Sequence, residues 1–205
     1  MLDDTYHPIR RMRYPDDQKQ QTHDRIVKAA ARRFRRKGET NVGIADLMQE
    51  LKLTHGGFYK HFNSKQDLFI ESIDRAFEEG AQRLEQVIRR AQPGEELRSI
   101  ITAYLSPEHC SKAGEGCPVA ALASDIGRQP RAVRARFDRA VQNYAQRFVR
   151  FLPGSTDREK RLNFGILFSG MSGTLSMARA VSDDEMRKRI LDGAREFYLR
   201  SFCSK

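Results

Sequence analysis

The stretch Leu53–Leu68, LTHGGFYKHFNSKQDL, combines two adjacent glycines with a crowded set of aromatic and basic side chains. Gly56 and Gly57 fall in the first turn of a predicted helix, where each lowers helix stability by roughly 1 kcal/mol relative to alanine. Packing of Phe58 and Phe62 against neighbouring helices is expected to offset that loss. The stretch therefore predicts a short helix whose first turn carries no bulky side chain and can approach another molecule closely.

The flanking segments make this helix the third of a three-helix unit. Apolar residues recur at helical spacing from Ile26 to Phe34, and a second short helix is predicted over residues 44–51. Thr54 can cap the third helix, which is predicted to end near His61 or Phe62. Two short helices joined by a tight turn and backed by a third are typical of a helix-turn-helix DNA-binding domain.

The polar residues of this unit are candidates for DNA contact. Those at the N-terminal end of the third helix are placed for base edges, and those one turn further for phosphates or a thymine methyl. The beginnings of the second and fourth helices offer two more phosphate sites. The predicted set is Thr54, His55, Gly56 and Gly57 for base edges, Tyr59, Lys60 and His61 one turn along, and Thr40 and Lys65 for phosphates. For Tyr59, a half-buried packing role stays open.

The segment from about Arg25 to Phe77 resembles the TetR/AcrR family of bacterial transcriptional regulators. The similarity lies in IVKAAARRFRRKGETNVGIADLMQELKLTHGGFYKHFNSKQDLF, with Tyr59, Phe62 and Lys65 at the positions expected for the recognition-helix signature. The segment is about a quarter of the chain. The resemblance implies a DNA-binding homodimer whose variable C-terminal domain senses a small molecule. It further implies a repressor, more often than an activator, that an inducer releases from its operator.

Hydrophobic periodicity along the rest of the chain predicts an all-α fold of about nine helices. Residues 1–21 are predicted to form a flexible basic arm, with Arg10, Arg11 and Arg13 as candidates for the minor groove. Residues 22–66, beginning at Thr22 as an N-cap, form the helix-turn-helix domain. Residues 67–205 form a helical regulatory and dimerisation domain, entered by a helix of about 27 residues.

Composition favours a polyanionic partner. The 205 residues carry a formal net charge of +10, a surplus suited to nucleic acid or an acidic membrane surface. No apolar run approaches the roughly 20 residues of a membrane span, and we expect a cytoplasmic protein without a membrane partner. The outward face of the first helix is expected to carry Arg25, Lys28, Arg32, Arg33, Arg35 and Arg36.

The last two predicted helices are expected to form the dimer interface. Small residues cluster between Phe164 and Ser176, where they would let two helices approach closely. Ordinary internal packing is the alternative explanation for that cluster. An inducer pocket is expected among helices four to eight, with candidate lining residues that could equally belong to the core. They are Leu84, Ile101, Tyr104, Leu105, Leu122, Phe137, Tyr144, Phe148, Phe168 and Met171.

Cys110 and Cys117 are separated by six residues in a predicted loop, with Cys117 at the start of a helix. A helix N-terminus and nearby cations lower a thiol pKa, so a redox-sensing regulator is one alternative. A thiol redox enzyme and a non-specific nucleic-acid packaging protein are two more. No catalytic triad, phosphate-binding glycine loop or metal-ligand cluster is apparent, so we expect no enzyme, cofactor or metal. His55 and His61, in particular, match no common zinc spacing.

Overall fold

The computed structural model describes residues 15–203, which are all-α. None of the helices in this part is long and apolar enough to cross a bilayer. The predicted fold class is confirmed, although the described residues form ten helices instead of about nine. They are α1 (Pro15–Lys37), α2 (Ile44–Glu50), α3 (His55–Phe58), α4 (Lys65–Arg90), α5 (Glu96–Tyr104), α6 (Pro107–Ser111), α7 (Pro118–Gly127), α8 (Arg131–Phe148, followed by a 3₁₀ turn to Phe151), α9 (Asp157–Ala180) and α10 (Asp184–Cys203).

Helix α1 begins earlier than the sequence pattern indicated. Residues 15–21, predicted as part of a flexible arm, are helical, and Pro15 starts the helix at a position where proline is favourable. Thr22 is not an N-cap, because it lies inside the helix and its hydroxyl donates to the Gln18 carbonyl at 2.9 Å. The rest of the predicted arm, with Arg10, Arg11 and Arg13, lies outside the described residues.

The additional helix is α6, in a segment predicted to be a loop. The Ser106 hydroxyl caps it by accepting from the His109 backbone N–H at 3.1 Å, and Pro107 occupies its first turn. A helix of five residues is too short to show hydrophobic periodicity, which explains the missed prediction. The capping residue Ser106 was the feature of the sequence that could have indicated this helix.

Helix α4 is the central element, and it packs against α1, α5, α7 and α8. At the α1–α4 contact, Arg35 points inward and is only 3% exposed, which contradicts its predicted place on the outward face. Its Nη2 lies 2.6 Å from Glu79 Oε2, and its Nη1 donates to the Ala76 carbonyl at 3.3 Å. Arg75 completes the cluster, with its Nε 3.0 Å from Glu79 Oε1.

The segment from α6 to α7 contacts the three-helix unit directly. Asp125 Oδ2 accepts from the Glu39 backbone N–H at 3.0 Å, just beyond Gly38. Gly38 has φ +78°, a conformation that favours glycine, and a Cβ there would lie 3.0 Å from the same carboxylate oxygen. In the preceding loop, Glu115 Oε1 lies 2.6 Å from Arg32 Nη2 of α1. The N-terminal unit is therefore held by both α4 and α7.

Substitution Glu79→Gln should destabilise the protein by about 3 kcal/mol, because it leaves the buried Arg35 guanidinium without a counter-charge. Urea unfolding at neutral pH measures this. Glu78→Gln is the matched control: Glu78 is exposed and pairs with Arg147 at the surface, so the loss should stay under about 1 kcal/mol. Equal losses in the two variants would contradict the role given to Arg35.

The same ion pair predicts a pH dependence. Burial raises the pKa of Glu79, but hydrogen bonds from Arg35 and Arg75 outweigh it, so the pKa lies below its ordinary value of 4.5. A carboxyl whose pKa is lower in the folded state stabilises fully above its unfolded pKa. That stabilisation is lost as pH falls through the folded pKa. The stability advantage of the wild type over Glu79→Gln should therefore be constant near neutrality and shrink below about pH 4.5.

Candidate nucleic-acid interface and ligand cleft

Helix α3 is built around the cap that the sequence predicted. Thr54 is extended, and its Oγ1 accepts from the Gly57 backbone N–H at 3.2 Å. The helix proper ends at Phe58, earlier than expected, and continues as a turn in which the Phe62 N–H donates to the Phe58 carbonyl at 3.1 Å. With two glycines among its four residues, α3 has little helix propensity to extend it. Its position depends instead on the cap and on packing.

The packing comes from two phenylalanines, as predicted. Phe58 and Phe62 are 0% and 3% exposed, and their rings stack with centroids 5.3 Å apart. Leu47 and Met48 of α2 are buried with them in the same core. Buried aromatic area of this kind stabilises by several times the glycine loss. It fixes which side of α3 faces outward.

The outward side carries most of the predicted contact residues. Tyr59 is 57% exposed, so more than half of its surface is available to a partner, while its ring packs edge-on against Phe58 with centroids 5.2 Å apart. Its ring lies edge-on to His55, with centroids 5.8 Å apart. The other exposed members of the predicted set are Thr40, Thr54, His55, Gly56 and Lys60, whereas Gly57, His61 and Lys65 are partly buried.

His61 and Lys65 are less suited to the predicted phosphate contacts. Burial, followed by the charges of His23, Lys19 and Lys60, lowers the pKa of His61, so at neutral pH it supplies no cation. Its Nδ1 is buried without a hydrogen-bond partner among the described residues. Lys65 Nζ lies 3.2 Å from Glu39 Oε1, which offsets its charge. The sequence could not show the burial of His61 or the ion pair of Lys65, because both depend on how other elements pack around them.

Intramolecular ion pairs also use part of the basic face of α1. Arg32 pairs with Glu115 at 2.6 Å and Arg33 with Glu50 at 3.1 Å, in addition to the buried Arg35. Lys28 and Arg36 are exposed and have no ion-pair partner between residues 15 and 203. Fewer cations on the α1 face are therefore free for a partner than the sequence suggested.

A second candidate site is a cleft of about 770 Å³ between α4, α5, α6 and the beginning of α7. Among the predicted pocket residues, Leu84, Tyr104 and Tyr144 line it. These three, together with Phe148, Phe168 and Met171, also line a neighbouring apolar cavity of about 20 Å³, roughly the space of one water. The cleft has the size typical of a small-molecule site.

The remaining predicted pocket residues belong to the core. Ile101, Leu105 and Leu122 are at most 1% exposed and line neither space. Phe137 packs against Phe77, with ring centroids 5.7 Å apart. Periodicity identified these side chains as inward-facing, but it could not show which of them border empty volume. The sequence also gave no sign of the polar lining, which comes from Arg83 and His109 among others.

His109 lies at the floor of the cleft, and its ring is held in one protonation state. Its Nδ1 lies 2.6 Å from the Tyr104 carbonyl, and its Nε2 accepts from the Cys117 backbone N–H at 3.1 Å. Burial lowers the pKa of His109 to about 4, although the hydrogen bond to Tyr104 opposes that shift. The ring is therefore neutral at physiological pH, with its proton on Nδ1.

Cys110 and Cys117 are free thiols, 4% and 5% exposed. Cys110 lies in α6 instead of a loop, and Arg179 donates to its carbonyl at 3.0 Å. The Cys117 sulfur lies 3.8 Å from Ser172 Oγ. Burial shields Cys110 from an oxidant in the solvent, whereas Cys117 borders the cleft.

Known proteins resemble the chain in this arrangement. Residues 26–71 match the sequence model of the bacterial regulatory proteins of the tetR family. The transcriptional regulator AcuR of Cereibacter sphaeroides is 24% identical over 130 residues, which span 61% of this chain and 58% of AcuR.

Two solved structures share the fold. A TetR-family regulator from Agrobacterium tumefaciens superposes with a TM-score of 0.71 at 20% identity, covering 90% of this chain and 98% of its own. A transcriptional regulator from Saccharomonospora viridis, in complex with choline, has a TM-score of 0.66 at 17% identity, covering 89% and 98%.

The N-terminal unit and the helical domain behind it define a helix-turn-helix regulatory protein. Its residues 26–71 match the TetR family of bacterial regulatory proteins, and the fold of the described residues is shared with a solved regulator of that family.

Substitution Gly56→Ala should stabilise the fold and at the same time weaken DNA binding. A Cβ at Gly56 meets no atom within 4 Å, so alanine should raise stability in urea unfolding by about 0.5 to 1 kcal/mol. DNA binding, measured by fluorescence anisotropy, should weaken because the methyl group projects from the exposed first turn. At Gly57 a Cβ would lie 3.2 Å from Thr54 Oγ1, so Gly57→Ala should gain less stability or lose it. Undiminished DNA affinity in a stabilised Gly56→Ala protein would show that α3 does not approach DNA with this turn.

Proposed function

We propose that the protein is a homodimeric transcriptional repressor that a small molecule in the cleft releases from its operator. The observation that carries the proposal is the outward side of α3. The exposed residues there are Thr54, His55, Tyr59 and Lys60, and the helix is fixed by its cap and by the Phe58–Phe62 pair. Such a helix can place its N-terminal residues in a major groove.

The roles within α3 follow from its exposed positions. Thr54, His55 and the backbone of Gly56 and Gly57 are proposed to contact base edges, and Tyr59 and Lys60 phosphates. Thr40, exposed before the first turn of α2, is proposed as a phosphate contact, and His61 and Lys65 as weaker ones. A single element this short makes few base contacts, so two copies must act together for specific binding.

Helix α9 supports dimerisation. Leu162, Ile166 and Met177 are 63%, 52% and 53% exposed, and they recur with exposed Ser169 and Gly173 every three or four residues. These residues form a stripe along one side of α9, apolar at its ends and small in the middle. Exposed apolar stripes of this kind mark interaction surfaces, and small residues let a second helix approach.

Helix α10 also exposes large apolar side chains. Met186 and Phe197 are 41% and 55% exposed on it. The small residues of α9 serve two different purposes: Gly170 accommodates Tyr198 of α10, whose hydroxyl a Cβ would overlap, whereas Gly165 and Gly173 face open space. Internal packing therefore explains Gly170, and the dimer seam is our proposal for Gly165 and Gly173. We propose a four-helix interface made by α9 and α10 of two protomers.

Two links could transmit occupancy of the cleft to the DNA-binding unit. Glu115, in the cleft wall, pairs with Arg32 of α1. On α4, Arg83 of the cleft lies one turn beyond Glu79, the partner of buried Arg35. A ligand shifts such a system only if it binds the two states with different affinity. The choline complex of the Saccharomonospora viridis regulator supports the idea that this fold holds small organic ligands.

The double substitution Tyr59→Ala and Lys60→Ala should abolish operator binding, because it removes the largest exposed contact surface of α3. An operator fragment is first recovered by selection from genomic DNA with the wild-type protein, and binding is then measured by gel retardation. Arg89→Ala is the control: it also removes one cation, but at the far end of α4, about 36 Å along the helix from Lys65. Retardation by the double variant, with fold and dimer intact, would refute the α3 assignment.

Substitution Ile166→Glu should convert the dimer to a monomer, because it places a charge in the apolar N-terminal part of the proposed α9 interface. Light scattering coupled to size-exclusion chromatography measures the mass. Gln142→Glu, which adds the same carboxylate to an exposed position of α8, should leave the dimer intact. A variant Ile166→Glu that stays dimeric would place the interface elsewhere.

A further inference from the structure

The cleft between α4, α5 and α6 contains positive charge that residues 15–203 do not neutralise by ion pairing. Four basic side chains and two carboxylates line it, namely Arg83, Arg90, Arg98, Lys112, Glu108 and Glu115. Ion pairs neutralise both carboxylates and two of the cations: Lys112 pairs with Glu108, Glu115 with Arg32 and Arg98 with Glu95, each at 2.6 Å. Two guanidinium groups remain.

Those two are Arg83 and Arg90, seven residues apart on α4 and hence about two turns apart on one side of the helix. Neither has an ion-pair or hydrogen-bond partner among residues 15–203. Arg83 is partly buried, and burial, reinforced by the charge of Arg35 and opposed by the carboxylates of Glu79 and Glu115, lowers its pKa. A cation that has lost part of its hydration without gaining a directly bonded counter-charge is stabilised by an anion placed beside it.

The surroundings of Arg83 leave room for such an anion. Gly80 precedes it by three residues, and a Cβ at Gly80 would lie 3.8 Å from Tyr144 Cε2 and 3.9 Å from Arg83 Nη2. The glycine therefore keeps open the space between the tyrosine ring and the guanidinium. The adjoining wall is apolar, formed by Leu84 and Val87 of α4 and Ala103 of α5.

We propose that the ligand of this cleft is an organic carboxylate with an apolar body. Its carboxylate would bind the Arg83 guanidinium, for which two parallel N–H···O bonds are the favoured geometry. Its body would lie against Leu84, Tyr104 and Tyr144, and Arg90 would add attraction at the outer end of the cleft. The neutral His109 fits this arrangement, because it adds no competing charge to the floor. As an inducer, this ligand rests on the proposed function, but its binding can be tested without DNA.

The test uses two matched sets of probes, and acetate as a control, with the full-length protein. Octanoate and 3-phenylpropanoate are each compared with the corresponding primary amide and amine by isothermal titration calorimetry. We expect at least one carboxylate to bind, and to bind about tenfold to a hundredfold more tightly than its amide, the range for a hydrogen bond to a charged group. The amines should bind more weakly than the amides. Acetate, which lacks the apolar body, should not bind measurably.

Variants then assign the preference to Arg83. Arg83→Gln should reduce the affinity for the carboxylate to that for the amide, whereas Arg83→Lys should keep part of the difference. Arg89→Gln is the control, since Arg89 is an exposed arginine on the same helix outside the cleft. Thermal unfolding without ligand confirms that each variant is folded. If Arg83→Gln does not fold, the comparison of acid with amide in the wild type and in Arg83→Lys decides.

The inference is overturned if neither carboxylate binds, if amides or amines bind as well as the acids, or if Arg83→Gln keeps the preference. Its failure is distinguishable from failure of the proposed function, because operator binding is measured separately and without a probe. Carboxylate binding that depends on Arg83 but leaves operator affinity unchanged would confirm the ligand class and refute the regulatory link.

Discussion

The buried ion pair between Arg35 and Glu79 is the contact on which the rest of the structure depends. It joins α1, which backs the helix-turn-helix, to α4, which spans about 39 Å and carries the cleft further along. Moving α1 along α4 would separate a guanidinium from its carboxylate in a poorly hydrated interior, at a loss of several kcal/mol. The α1–α4 contact therefore favours rigid movement of the DNA-binding unit with the N-terminal half of α4 over sliding between them.

The other links between the two parts are weaker, which matters for regulation. Arg32 and Glu115 are about half exposed, so their pair contributes at most about 1 kcal/mol. The Asp125 carboxylate is bonded to a backbone N–H in a turn that depends on Gly38. A ligand that moves the α6–α7 segment could alter both contacts while the Arg35–Glu79 pair stays intact. One strong contact, the Arg35–Glu79 pair, is thus combined with two weaker contacts that can change.

The basic side chains likewise serve several different purposes. The surplus of +10 suggests a uniformly basic DNA-binding surface, yet several arginines serve the fold or the cleft. Arg35 is buried, Arg32 and Arg33 pair with carboxylates from other elements, and Arg83 borders the ligand cleft. What remains for a polyanion is concentrated on exposed residues such as Lys28, Arg36 and Lys60. Net charge indicates the class of partner, but the location of each charge decides its use.

The sequence by itself determined the features that depend on neighbouring residues. Thr54 caps α3 as predicted, the Phe58–Phe62 pair packs inward, and helical periodicity gave the all-α fold. These follow from local backbone hydrogen bonding and from the 3.6-residue period, both visible in a short window. The exposure of Tyr59, which the sequence left open, needed the packed neighbours.

Only the tertiary structure decided the features that need partners distant in sequence. It turned Arg35 inward toward Glu79, brought Glu39 to Lys65, and placed Arg83 without a counter-charge beside Gly80 and Tyr144. Likewise, Ile101 and Leu84 look alike as apolar helix positions, but only Leu84 borders the cleft. The physical reason is that ion pairing and cavity formation depend on how helices are placed against one another, which no local pattern of side chains records.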